Sequence, residues 1–171
     1  PSLIFLSETK NRKLVIDRIA RRLRFQNSVV VEAMNRASGM AMFWSKGTNI
    51  LEVHTTAFTI EAKIEDSDSN SIWWFVGLYA SCDQMIRREQ WRVIRRRKRL
   101  WGDRFLIAGD FNDILTNEEK WGGAVREERS FRNFKEFIDQ NNLVDIGYDG
   151  QPWTWSNHWN DEGEIRQRLD R

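Results

Sequence analysis

Cysteine is almost absent from this chain. Cys82 stands alone among 171 residues, which excludes a disulfide framework and points to a reducing compartment. Nothing beside it in sequence offers the base that a thiol nucleophile needs. Histidine is nearly as scarce, with only His54 and His158. No apolar stretch approaches the roughly 20 residues of a membrane span, and no signal-peptide pattern opens the chain. A membrane partner is therefore not expected, and an intracellular location, nuclear or cytoplasmic, is. Neither sign of charge dominates: 27 Lys and Arg against 25 Asp and Glu leave a net charge of +2. No internal repeat, low-complexity tract or linker divides the sequence, so one domain over residues 1–171 is expected.

What is present is the composition of a globular protein. Hydrophobic residues make up 40% and charged residues 30%, and nine Trp and ten Phe can fill a core. The balanced charge hides one concentration of positive charge. From Arg87 to Arg99 the chain carries Arg87, Arg88, Arg92, Arg95, Arg96, Arg97, Lys98 and Arg99 against a single Glu89. Such a block can contact phosphates or form a solvated helix face.

Hydrophobic spacing predicts strands at Leu3–Leu6, Val29–Val31, Met40–Trp44, Ile50–Val53, Phe58–Ile64, Ile72–Tyr79 and Phe105–Ala108, with late strands at Pro152–Ser156 and Arg166–Asp170. The polar run Asp66 to Ser71 reads as a hairpin loop, and Leu143–Ile146 as a short extended piece. One helix is expected from Asn11, as its cap, to about Arg24, with Val15, Ile16, Ile19, Ala20 and Leu23 on its apolar side. A second runs from Gln84 to Trp101 with Ile86, Ile94 and Trp101 on a narrow apolar stripe. A third is capped by Ser130 and buries Phe131, Phe134, Phe137 and Ile138. Helices fall between groups of strands rather than after each one. An α/β (α+β) fold with mixed sheets and flanking helices follows.

The strand Phe105–Ala108 ends in Gly109-Asp110-Phe111-Asn112. Open α/β sheets put their chemistry just past the carboxyl ends of strands. Asp110 and Asn112 lie two apart, so in extended geometry they share a side. An Asp can orient or deprotonate a water, and the amide beside it can hydrogen-bond a phosphate oxygen. Read alone, the tetrapeptide is equally an Asx turn. Two echoes strengthen the chemical reading. Leu3–Leu6 ends in Ser7-Glu8-Thr9-Lys10, and the chain closes on Arg168-Leu169-Asp170-Arg171. Glu8 is a hard oxygen ligand of the kind Mg²⁺ uses with waters and a substrate phosphate. Together these groups suit metal-assisted hydrolysis of a phosphate ester.

An ordered set of motifs then carries a resemblance. Phe5-Leu6-Ser7-Glu8-Thr9-Lys10, Gly39 to Trp44, Val76-Gly77-Leu78-Tyr79, Gly109 to Leu115, Glu119-Lys120-Trp121-Gly122-Gly123, Trp153-Thr154-Trp155-Ser156-Asn157 and Arg168-Leu169-Asp170-Arg171 occur in family order. The sequence resembles the endonuclease/exonuclease/phosphatase superfamily and, within it, the endonuclease domain of LINE-type retrotransposons, especially those of plants. That resemblance implies a two-sheet β-sandwich flanked by helices, here incomplete at both ends, and Mg²⁺-dependent (or Mn²⁺-dependent) cleavage of DNA. By motif, Glu8 looks like the metal ligand, Asp110 like the residue that activates water, and Asn112 like its hydrogen-bonding neighbour. Tyr79 looks like the contact to the scissile phosphate, and Asp170 like the acid that orients a histidine. Asn157, Lys120, Arg126, Arg96 and Arg97 are the candidate contacts to nucleic acid. The family carries its histidine in a Ser-Asp-His segment that has no match here, nor has its first, Asn-bearing strand. Neither His54 nor His158 falls at the matching place. The resemblance therefore implies little or no cleavage by this chain alone, with a fused or associated reverse transcriptase in a full-length element. A non-catalytic nucleic-acid-binding remnant and a phosphatase of the same superfamily are the alternatives.

Overall fold

Two sheets are built from the early strands. The computed structural model describes residues 1–33, 39–159 and 163–171. β1 (Leu3–Leu6), β2 (Asn27–Val31) and β3 (Met40–Trp44) pair antiparallel in the order β1-β3-β2. β4 (Asn49–Thr55), β5 (Thr59–Asp66), β6 (Ser71–Tyr79) and β7 (Phe105–Asp110) form a second sheet in chain order. The loop after Asp66 makes the β5–β6 hairpin, as its composition predicts. α2 (Gln84–Trp101) is the crossover from β6 to β7.

The chain divides into two compact units: Pro1–Tyr79 with Arg99–Gly109, and Ala80–Lys98 with Asp110–Arg171. In the first, period-two alternation along β3 decides the packing. Met40 and Met42 meet Ile60, Ala62, Ile64 and Phe75 of the second sheet, making a sandwich core. Ala41 and Phe43 point the other way, onto Ile16 and Ala20 of α1 (Lys13–Arg22) and onto Phe25. The two-sheet sandwich with a helix outside, expected from the sequence, is therefore what forms. Inside this unit Glu61 is fully buried, accepting hydrogen bonds from Thr59 Oγ1 at 3.0 Å and Trp101 Nε1 at 3.0 Å.

In the second unit aromatics make the core. Trp91 of α2 stacks on Phe137, with ring centroids 4.5 Å apart, and on Phe134 of α3 (Arg132–Gln140), while Phe111 packs against both Trp91 and Phe134. A small sheet, β8 (Lys120–Trp121), β9 (Trp155–Ser156) and β10 (Arg166–Gln167), runs in the order β8-β10-β9.

Several boundaries differ from expectation. Asn11 does not cap α1: its side chain donates to Thr9 O instead, and Val15, Ile19 and Leu23 stay 38–52% exposed because only Ile16 and Ala20 reach the core. Ser130 does not cap α3, since its hydroxyl accepts a bond from Arg126 and a 3₁₀ turn, Glu128–Ser130, precedes the helix. Ile86 is solvent-exposed, and Trp91 and Ile94 carry the buried face of α2. Leu143–Ile146 forms no strand, and the late strands shrink to two residues each.

Candidate active site

β1 ends at Leu6, and the chain turns through two left-handed residues, Glu8 (φ 51°) and Lys10 (φ 48°). The turn is held by Thr9 N–H donating to Gly39 O at 3.0 Å. Gly39, at φ 92°, lies so close that a Cβ there would meet Thr9 Oγ1. The turn presents the Glu8 carboxylate. Its Oε1 accepts a 2.8 Å bond from the Tyr79 hydroxyl at the end of β6, and its Oε2 lies 3.3 Å from Lys10 Nζ. Glu8 and Tyr79, matched from separate motifs, are thus brought together in the first unit. Thr9 Oγ1 beside them is buried and has no hydrogen-bond partner among the described residues.

In the second unit the strand gives way at once to a turn. Asn112 is left-handed (φ 51°). Its N–H donates to Asp110 Oδ1 at 2.8 Å, and its Nδ2 donates to Asp110 Oδ2 at 2.9 Å and to Ala80 O at 2.8 Å. Asp110 and Asn112 therefore meet through an Asx turn, not through strand alternation as the spacing suggested. Both carboxylate oxygens of Asp110 are aimed by one amide residue. Asp110 also forms an antiparallel bridge with Asp170, and Phe111 N–H donates to Leu169 O at 2.9 Å. Thr154 Oγ1 accepts from the N–H groups of Leu169 and Asp170 at 2.9 and 3.0 Å. Cys82 Sγ donates to Asn112 Oδ1 at 3.3 Å.

Sequence reasoning missed the residue that anchors this turn. Asp113 is buried, with Arg87 donating to its Oδ2 from Nη2 at 2.9 Å and from Nε at 3.2 Å, and Arg126 donating to its Oδ1 at 2.9 Å. A second ionic knot ties the last residues: Arg168 and Arg171 each bridge Glu119 and Asp145. Burial alone would raise the Asp145 carboxyl. Hydrogen bonds from Arg168 and the Gly147 N–H, with the charges of Arg168 and Arg171, outweigh that and hold it below the usual carboxylate range.

No family profile and no curated protein matches the chain. Solved structures do. The endonuclease domain of TRAS1, a telomere-specific non-LTR retrotransposon, aligns with 99% of this chain and 83% of its own length, at TM-score 0.66 and 17% identity. The 3′ phosphatase NExo from Neisseria, bound to a product DNA hairpin, aligns with 99% of this chain and 74% of its own, at TM-score 0.63 and 15% identity. TDP2 from D. rerio, complexed with single-strand DNA product, covers 99% and 69% at TM-score 0.61 and 15% identity. This chain has the endonuclease/exonuclease/phosphatase fold.

On the endonuclease/exonuclease/phosphatase fold of this chain, the remaining candidates are placed as follows. Asn157 is turned into its own loop: Nδ2 donates to Gly163 O at 2.9 Å and Oδ1 accepts from Ile165 N–H at 3.0 Å. Lys120 staples the glycine loop by donating to Gly122 O and Ala124 O. Arg126 is drawn onto Asp113. Arg96 is exposed on α2 and Arg97 half-buried. Arg87, counted in the basic block, is buried against Asp113 and belongs to the core. His54 stacks on Trp74 and lies 3.3 Å from Glu52, and His158 takes a left-handed turn residue's place (φ 56°).

The donor chemistry around Glu8 fits a magnesium ion of the sparse kind, held by one carboxylate, waters and substrate phosphate. Glu8 is half-exposed, and the next residue carries a hydroxyl, Thr9 Oγ1, with no partner among the described residues. A closed protein cage is not what the chain offers: among the described residues no group of three or more His, Cys, Asp or Glu could hold a metal. No described helix is long and apolar enough to cross a membrane.

Proposed function

We propose that this chain is a metal-dependent phosphodiesterase domain acting on DNA, of the retrotransposon endonuclease kind, with residues 1–171 together making one domain of that fold. The observation that carries the reading is the Asp110 carboxylate, gripped at both oxygens by Asn112 and tied through its backbone to Asp170. An acid held in this way is oriented before substrate arrives, and a fixed carboxylate is what water activation needs.

Glu8 would hold Mg²⁺, for which Mn²⁺ can substitute; when bound, the ion neutralises charge on the phosphate oxygens. The residues do the rest. Tyr79 donates its hydroxyl proton to Glu8 Oε1, fixing the carboxylate that would hold the ion, and its ring-end position would set it beside a substrate phosphate oxygen. Asp110 accepts a proton from the attacking water at an oxygen that Asn112 steadies. Asp170 holds the Asp110 backbone in place. DNA is the proposed substrate because the structural relatives named above include two bound to DNA and because the surface carries Arg96 beside the half-buried Arg97. Asn157 and Lys120 support the neighbouring loops, and Arg126 steadies Asp113. His54 lies in β4 against Glu52 and Trp74 and is not assigned the role of general acid, so slow cleavage by residues 1–171 alone is the expectation.

The exposed arginines of α2 also suit a second reading, a DNA-binding remnant without catalysis. Duplex binding and plasmid nicking by the purified chain, with Mg²⁺ or Mn²⁺, separate the two. The expected result is salt-dependent binding with trace nicking that Glu8→Ala and Asp110→Ala each reduce by about 10²-fold or more. Binding with no nicking in either metal selects the remnant. Nicking that survives both substitutions, or no binding to DNA, overturns the proposal.

A further inference from the structure

We propose that the groove between α2 and α3 is a second phosphate-binding track, which grips the backbone of duplex DNA. The inference rests on the reading of DNA as substrate, but it assigns residues outside the candidate site.

The helix phase selects them. At about 100° per residue, Arg88, Arg92 and Arg95 fall within an arc of about 60° on α2. Trp91 and Ile94, with buried Arg87, occupy the adjoining, core-facing arc. Arg96 lies off the stripe and Arg97 further round, so the run that looks densest in sequence is not the one the helix aligns. Asp83 fixes the start of this phase, its carboxylate accepting the N–H groups of Met85 at 2.7 Å and Ile86 at 3.1 Å.

The three arginines line one side of a cavity of about 210 Å³, and Asn133, Glu136 and Gln140 of α3 line the other. Aromatic stacking of Trp91 on Phe134 and Phe137 holds the two helices together beneath it. All three guanidiniums are exposed. Arg92 pairs with Glu89 at 2.6 Å, and Arg95 donates to Gln140 Oε1 at 2.6 Å. Both are surface contacts of the sort a phosphate displaces at small cost. Glu136 is the one carboxylate in the lining, against three guanidiniums. The charge therefore complements a polyanion.

Spacing favours a nucleic-acid backbone. Arg88 to Arg92 spans about 6 Å of helix axis and Arg88 to Arg95 about 10.5 Å. A DNA strand rises about 3.4 Å per nucleotide, so the stripe spans about three nucleotide steps of a strand. The amides of Asn133 and Gln140 supply neutral donors beside the charges, as phosphate contacts commonly do.

The test compares three proteins by fluorescence anisotropy on one labelled duplex across a salt series. They are the unmodified chain, R88A/R92A/R95A, and R18A/R21A/R22A, which removes equal charge from α1. The groove variant is expected to bind at least tenfold more weakly at low salt and to lower the slope of log K against log salt by about 2 to 3. The α1 variant is expected to stay near the parent. Thermal melting checks that both variants fold. Equal loss in the two variants, or no loss in the groove variant, overturns the track while leaving DNA binding standing. A parent that binds no duplex overturns both this inference and the reading beneath it. Poly-glutamate that displaces the duplex as well as unlabelled DNA does would assign the groove to an acidic protein and overturn the proposal too.

Discussion

Replacing Asp113 with alanine should cost this protein more stability than replacing any of the candidate catalytic residues. Asp113 and Arg87 have side chains only 3% and 5% exposed, whereas Arg126, on the other oxygen, is 26% exposed. Removing the carboxylate leaves the Arg87 guanidinium buried without its counter-charge, a situation worth about 3–5 kcal/mol. Arg87 keeps its bonds to Ser81 O at 2.7 Å and Cys82 O at 3.1 Å, so the lower end, about 3 kcal/mol, is expected. That corresponds to a fall in Tm of about 6–12 °C in a chain of this size. Arg126→Ala, at the exposed end of the same carboxylate, should cost only about 1 kcal/mol. Urea unfolding followed by tryptophan fluorescence measures all of them. Replacing both buried partners together, Arg87→Met with Asp113→Leu, removes the uncompensated charge and should recover most of the loss. A loss below about 1 kcal/mol for Asp113→Ala, or a double variant as damaged as the single ones added, would refute the argument that the pair is buried and mutually required.

Gly109→Ala should destabilise by about 3 kcal/mol or more, because the residue sits at φ 138° and a Cβ there is driven into the Leu78 carbonyl oxygen; a Tm within 2 °C or so of the parent contradicts this. Tyr79→Phe should leave Tm within a few degrees while weakening Mn²⁺ affinity several-fold, since only the hydroxyl that orients Glu8 is lost; titration calorimetry decides it. For Asp145 the folded carboxyl is held below its unfolded value, so its contribution is present at neutral pH and fades as pH falls through about 4 and lower. The Tm difference between the parent and Asp145→Asn should accordingly be largest near pH 7 and shrink toward pH 3. A difference that grows on acidification reverses the sign and defeats the assignment.

The features legible in the sequence were those that local periodicity encodes. The span of α2 from Gln84 to Trp101, the apolar runs of β1, β3 and β7 and the Gly-Asp-Phe-Asn turn can each be read within a few residues of themselves. The ordered motifs singled out Glu8, Tyr79, Asp110, Asn112 and Asp170 as site candidates; which of them touch, Tyr79 on Glu8 and Asn112 and Asp170 on Asp110, comes from the structure. What stayed hidden depends on partners far along the chain. Arg87 looks like one more surface arginine until Asp113, 26 residues on, closes over it. Thr154 looks like filler in a tryptophan motif until the backbone of Leu169 and Asp170 arrives to use its hydroxyl. Lys120, Arg126 and Asn157 have the right chemistry to touch a nucleic acid, yet each already serves the loop it belongs to. Ser130 and Asn11 have the composition of helix caps, but nearby turns claim their side chains first. Charge density drew attention to Arg96 and Arg97, whereas rotation about the helix axis aligns Arg88, Arg92 and Arg95.

Glu8 occupies backbone space that an ordinary side chain enters reluctantly. Glycine would rest there comfortably, so Glu8→Gly should leave the melting temperature unchanged or slightly higher even as it deletes the carboxylate. A position where the more durable protein is the chemically empty one keeps its acid only under continuing selection for what the acid does. Randomising codon 8 and sorting the library first for thermal survival, then for duplex cleavage, would make the two demands visible as opposite enrichments at a single site.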